Sequence, residues 1–341
     1  MSRVKVATIF LCLAIVTVMV MHAQTPRTHE LPLAPEHVHW GYYDARLTPA
    51  LRVASGDRVR VETMVAGGLQ RLRLAGVAES EIPESLKPAD QRVIERGPGA
   101  HPMSGPIIVE GAEPGDALEI RIVAIEFLHD FGVNAFSPSG GVLSDDYPYA
   151  RLKLLRWQPG AKRIDFGGGI SLPIAPFFGS IGVAPPPLVG RISSRPPGWH
   201  GGNLDNKDLV AGSTLYLPVH VAGALLSVGD GHALQGDGEV TGTALETSLR
   251  GTFELRVRKG QRLRWPRAET PTHYIAMGLN EDLDEATRLA TREMVEFLVT
   301  EKHLSRDDAY MLCSLAADLR VTQVVDGTKG VHAMISKSVF Q

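Results

Sequence analysis

The chain has 341 residues, 44% of them hydrophobic and 21% charged, with a formal net charge of −3. That mild, evenly mixed acidity gives no reason to expect nucleic acid or an anionic membrane surface as a partner. Neither an internal repeat nor a low-complexity segment interrupts it, and a length of this order suits one large domain or two closely joined ones.

The start reads as a leader. Arg3 and Lys5 precede an apolar run from Val6 to Met21, and Ala23-Gln24 offers a cleavage point. The pattern predicts a signal peptide over residues 1–23 and a secreted or periplasmic protein. A retained amino-terminal anchor is the competing reading, although the run is slightly short for a span. Cys12 lies inside the run, which argues against lipoprotein processing, and its loss would leave Cys313 as the one remaining cysteine. The body then has no internal disulfide and relies on its core. Residues 24–36 are proline-rich and polar and are expected to be a linker.

The fold is expected to begin at His37-Val38-His39-Trp40, where two histidines at i and i+2 share one strand face. They read equally as a metal pair or as polar strand-edge residues. Gly56-Asp57 turns the chain into an alternating strand, and residues 66–100 read as a long loop with one short helix. Strand signal returns from Ser104. Glu113-Pro-Gly-Asp116 is a turn between two β-branched runs, since proline fixes one dihedral and glycine supplies the positive one. From Asn134 to Pro197 glycine and proline are dense, predicting short strands joined by ordered loops of the kind that wall a site.

The stretch from Gly198 to Glu246 gathers most of the chemistry. It contains Trp199-His200-Gly-Gly-Asn203-Leu-Asp205-Asn-Lys207-Asp208, then Gly229-Asp230-Gly-His232-Ala-Leu-Gln235-Gly-Asp237-Gly-Glu239, and closes on Glu246. Beyond it, Gly251 to Arg258 alternates as a half-exposed strand. Ala286, Ala290, Met294 and Phe297 follow helical spacing, and Ser305-Arg-Asp-Asp308 resembles a capping box opening a second helix. Cys313 falls on that helix's apolar stripe, where a thiol behaves as a small hydrophobe. Strands first and helices last predict a mainly β chain: a β-rich body to about residue 280 and an α+β tail over 281–341.

Elimination narrows the chemistry. Gly179-Ser180-Ile-Gly182 has the wrong spacing for a serine nucleophile elbow. The glycines between 229 and 238 match no dinucleotide or phosphate-binding fingerprint. What remains is water activated by a carboxylate or imidazole base, by a bound divalent cation (zinc or calcium), or by both. Asp205, His232 and Glu239 lead as ligands, with His200 and His39 as alternates. Glu246 or Glu239 would move the proton, and Asn203, Gln235 and Lys207 would hold a developing oxyanion. Gln235, Asn203 and Trp199 are the substrate-contact candidates. Against this, Asp230 and Asp237 sit in Gly-Asp-Gly and read first as turn residues. Asn203 with Asp205 also fits a plain Asx-turn, and His232 and Glu239 equally fit side chains that satisfy loop backbone.

Longer runs carry a resemblance. Gly105-Pro-Ile-Ile-Val-Glu-Gly-Ala-Glu-Pro-Gly-Asp116, Phe178-Gly-Ser-Ile-Gly-Val-Ala-Pro185, Pro197 to Asp208, Gly212 to Val219 and Gly223 to Glu239 together resemble the acetamidase/formamidase family. The likeness extends from about His37 to the carboxyl end. It implies a jelly-roll-like β-sandwich, a homo-oligomer, bound divalent cations, and hydrolysis of a short linear amide to carboxylate and ammonia. Two features depart from that pattern: the leader, on a family otherwise thought of as cytoplasmic, and the lack of any acidic residue between Glu62 and Glu79. The alternative from a different class is a metal-stabilised β-sandwich that binds a small ligand or glycan without turnover.

Overall fold

The computed structural model describes residues 26–340 except Ser139. The expected leader, residues 1–23, lies outside the described residues. No helix among the described residues is long and apolar enough to cross a membrane.

Two large sheets face one another. One orders its nine strands as Thr28–Leu31, Arg58–Glu62, Leu249–Arg258, Ala117–Phe127, Thr214–Pro218, Arg267–Glu269, His273–Asn280, Lys329–Ser336 and Ala317–Gln323. The other runs Gly201–Asn203, Phe177–Gly182, Leu226–His232, Glu246–Thr247, Phe131–Phe136 and Arg151–Arg156. Pro102–Val109 joins it beside Leu226–His232 and carries Val38–Trp40 and Leu51–Val53. Alternation explains the packing: Val59, Val61, Ile120 and Ile122 of the first sheet share one buried cluster with Ile107, Ile181 and Val228 of the second. The β-sandwich with a carboxyl-terminal helical portion is therefore observed.

Two expectations along the chain are corrected. Thr28–Leu31, read as linker, is an edge strand paired in parallel with Arg58–Glu62, because Leu31 is buried in the main core and the Asp57 carboxylate accepts from Arg27 N at 2.9 Å. The segment 66–100 is more ordered than a long loop. It forms two short helices, Gly68–Leu74 and Lys87–Arg92, around a second core that includes Leu69, Leu72, Leu86 and Trp40.

The tail is built by caps and one apolar stripe. Asp282 accepts from Glu285 N to start Leu283–Lys302, and Ser305 accepts from Asp308 N to start Arg306–Ala316. Ala286, Ala290, Met294 and Leu298, four residues apart, pack on Ala276, Val331, Ala333 and Ile335 of the sheet. The small residues let the helix come close. A β-carbon at Gly278 would lie 2.0 Å from Ala286 O and 2.3 Å from Ala290 N. Gly278→Ala must therefore push helix from sheet, and a loss of about 2–3 kcal/mol of stability in chemical denaturation is expected.

Candidate active site

Four neighbouring strands of the second sheet bring the polar groups together. Asp230 and His232 are two apart on Leu226–His232, so they share a face. Glu246 pairs opposite His232, and the chain leaves Gly201–Asn203 to place Asp205 beside them. Beneath the group lies Gly179. A β-carbon there would meet Asp230 Oδ2 at 2.4 Å, Asp205 Oδ1 at 2.5 Å and His232 Cε1 at 2.8 Å. The floor must be glycine because the side chains converge on the space a methyl would fill.

The imidazole is the hub. Its Nδ1 lies 3.1 Å from Gln235 Oε1, and Gln235 Nε2 donates to Asp205 O at 2.8 Å. Its Nε2 faces Asp230 Oδ2 at 3.3 Å and Glu246 Oε2 at 3.6 Å, yet makes no hydrogen bond. Asp205 Oδ2 accepts from Asn203 Nδ2 at 2.7 Å, and Asn203 Oδ1 accepts from Ser180 Oγ at 2.6 Å. Asp205 Oδ1 and Glu246 Oε2 stay buried and unpartnered. Two sets of potential ligand atoms lie within 4.8 Å of one another: Asp205, His232 and Glu239, and Asp230, His232 and Glu246.

Burial and crowded charge set the protonation. Burial alone would lower His232, but Asp230, Glu246 and Glu239 outweigh it and raise the imidazole to about 10. Desolvation pushes Asp205 and Glu239 well above the usual carboxylate range and raises Glu246, in each case with help from neighbouring carboxylates. Asp230 goes the other way: burial would raise it, but His232 and His101 hold it far below. Backbone strain adds to the cost. Glu239 has φ of 46°, a region that L-residues other than Asn and Asp seldom adopt, at about 1–3 kcal/mol; Asp205 and Asp230 share it at 48° and 58°, where a short carboxylate is better tolerated.

The group opens into a cavity of about 570 Å³, whose walls include Arg71, His101, Arg195, Asn203, Asp326, Asp230, Glu239 and Glu246. Arg71 Nη1 stands 3.7 Å from Glu246 Oε1 with no hydrogen bond of its own, and His101 Nε2 is 3.9 Å from Asp230 Oδ2.

Other expected residues are engaged elsewhere. His39 is buried with Nε2 2.8 Å from Ser227 Oγ, and burial lowers it to about 4. His200 packs edge-on against Tyr43 and Trp199, and burial with nearby His220 lowers it to about 3. Neither enters the carboxylate group. Trp199 meets His220 edge to face, with ring centroids 4.5 Å apart. Lys207 pairs with Asp237 at 3.0 Å, and Arg320 reaches the same carboxylate. Asp237 is thus tied to the carboxyl-terminal sheet, whereas Asp230, expected in a turn, is at the centre. Its alternation with His232 was the available signal. Arg71, His101 and Asp326 come from distant segments and had none.

The geometry agrees with relatedness. The acetamidase/formamidase family model matches residues 47–195 and 190–341. A formamidase of Methylophilus methylotrophus is 30% identical over 254 residues, 55% of this chain and 56% of that protein, so the chain spans about half the length of that relative. Among solved structures, an acetamidase from Yersinia enterocolitica superposes with a TM-score of 0.80 at 31% identity, covering 94% of this chain and 96% of its own. An acetamidase from Bacillus halodurans gives 0.76 at 34% identity, with 90% and 98% covered. Matched over nearly its whole described length, the chain belongs to the acetamidase/formamidase family.

Proposed function

We propose that this protein is an exported amidase that hydrolyses a linear amide to a carboxylate and ammonia with the help of a divalent cation. The observation that carries the reading is the unpartnered Nε2 of His232 facing two carboxylates at the wall of an open cavity. Family membership supports the reaction class, since relatives carry the names formamidase and acetamidase.

The donor set fits a cation. Unpaired buried atoms on Asp205, His232 and Glu246 are costly without a partner, and Gln235 holds Nδ1 so that Nε2 is the free ligand atom. Asp230, His232 and Glu246 would hold the ion, with Asp205 bordering them through Oδ1. One imidazole among carboxylates suits zinc better than calcium, which takes six or more oxygens. When bound, the ion supplies Lewis acidity toward the carbonyl oxygen and a more acidic water.

The chain's own groups do the rest. Both carboxylates line the cavity, but Glu246 is tied to Ala244 N and faces His232, so Glu239 is assigned the proton. It takes a proton from water as the oxygen bonds the carbonyl carbon, then returns it to the nitrogen as the C–N bond breaks. Arg71, not Lys207, stands where positive charge can meet the developing oxyanion, and Asn203 holds Asp205.

Ammonia release from formamide, acetamide and larger amides, with and without chelator, tests the whole reading. Ammonia from none of them would sink it. Gly179→Ala supplies a local test. Its methyl displaces both aspartates, so bound metal in elemental analysis should fall with turnover, by about 100-fold for a shift near an ångström.

Export is tested by amino-terminal sequencing of protein recovered outside the cytoplasm. The reading includes self-association. Tyr310, Met311, Leu315 and Leu319 are exposed together on the last helix and the edge strand Ala317–Gln323. Light scattering should report a homo-oligomer that Met311→Glu with Leu315→Glu dissociates.

A further inference from the structure

A second cavity adjoins the first. It has about 470 Å³ and shares Phe136, Ser137, Gly140 and Thr241 with the cavity that holds the carboxylates. Formamide and acetamide have only a few atoms, whereas pockets of about 300–1,000 Å³ hold ligands of drug size. The combined space is far larger than either small amide requires.

The annex is apolar and aromatic on one side and basic at its end. Phe136, Tyr147 and Tyr149 form a mutual edge-to-face cluster, with centroids 5.4 Å apart for Phe136–Tyr147, 5.3 Å for Phe136–Tyr149 and 6.3 Å for Tyr147–Tyr149. Phe136 and Tyr147 line the space, and Phe166 and Leu143 complete its apolar wall. Tyr147 is 45% and Leu143 56% exposed, so these rings and methyls face outward with little to cover them. Arg151 and Lys153 also line it. Lys153 Nζ lies 3.8 Å from the Phe166 ring centroid, and neither cation has a carboxylate within ion-pair distance among the described residues. On a chain of net negative charge, two unpaired cations beside an aromatic wall select for an anion attached to an apolar body.

The annex is tied to the chemistry. Val142 N donates to Val240 O at 2.8 Å, and Asn134 Nδ2 donates to Thr243 O at 3.0 Å and Ala244 O at 3.1 Å. Those bonds fix the annex wall against the segment that begins at Glu239, so a ligand seated there has a set position relative to that carboxyl.

We propose that the annex seats the acyl body of the substrate, which is a primary amide carrying an aromatic group and, at its far end, an anionic group. The proposal rests on the amidase reading and names its substrate class. The carboxamide lies by Glu239 and the carboxylates, the ring lies among Phe136, Tyr147 and Phe166, and the anion meets Arg151 and Lys153.

The test measures kcat/KM for terephthalic acid monoamide, phenylpropanamide and acetamide. The expected order has the aromatic acid monoamide first, by at least ~10-fold over acetamide. In Arg151→Gln with Lys153→Gln, the ratio of aromatic acid monoamide to phenylpropanamide should fall about tenfold, chiefly through KM. Phe166→Ala should lower both aromatic substrates relative to acetamide. Arg151 is exposed, and a melting curve confirms that each variant is folded. Equal or higher kcat/KM on acetamide, with ratios unmoved by the variants, overturns the proposal. Calorimetric binding of terephthalic acid monoamide separates the two readings. Binding that the double variant abolishes, with no ammonia from any amide, keeps the annex assignment and sinks the amidase. Ammonia from acetamide with no binding of the monoamide sinks the annex and keeps the amidase.

Discussion

His232→Ala is expected to lower ammonia release by at least ~10³-fold while the protein stays folded. The imidazole stands among the groups that would hold the cation: Asp230 and Glu246 face Nε2, Gln235 faces Nδ1, and Asp205 lies 4.0 Å away. Without it, one ligand and the positive charge at the centre of these carboxylates disappear together. Two separate losses should follow. Bound metal falls in elemental analysis, and turnover falls with it even when metal is supplied in excess. His232→Gln offers an amide in place of the ring but no strong ligand, so it should restore folding stability more than activity. A variant that keeps full turnover and full metal content would remove His232 from the centre of the site.

The sheet architecture was legible because alternation and turn chemistry are local. Glu113-Pro-Gly-Asp116 turns as expected, with Asp116 accepting from Glu113 N and pairing with Lys259. Ser305 caps its helix by the bond its spacing implied. The site was legible in part. Asp205, His232 and Glu239 come from one dense stretch, and the structure brings them together. Asp230 was hidden by its glycines: a Gly-Asp-Gly run reads as a turn, yet here the glycines allow close approach of neighbouring strands. A β-carbon at Gly229 would meet Pro102 O at 2.6 Å, and one at Gly231 would meet Thr247 O at 2.8 Å. His39 looked like a ligand because His37 stands two residues before it, and His200 by residue type alone. Burial without a neighbouring carboxylate makes them neutral core histidines instead. Arg71 lies on a helix whose sequence has weak periodicity, and only the fold carries it to Glu246. Pairing across such distances leaves no trace in spacing.

Metal removal should show the same cluster from the side of stability. Without a cation, several carboxylates share a buried space. Burial and mutual repulsion raise Asp205, Glu239 and Glu246, and the carboxylates outweigh burial to raise His232 to about 10. Near neutral pH the metal-free site therefore binds protons that a cation must displace. Three results are expected. Metal binding by calorimetry releases at least one proton, seen as a heat that depends on the buffer's ionisation enthalpy. Raising the pH removes the competing protons, so affinity rises with pH across the neutral range and falls in acid. Chelation also removes the stabilisation of a bound ligand, worth about 2.7 kcal/mol at a hundredfold excess over Kd, and so lowers Tm by roughly 4 °C for a chain of this length. Zinc should restore both Tm and turnover. Affinity that stays level as pH changes, with no proton released, would mean that the cation binds away from His232 and its carboxylates.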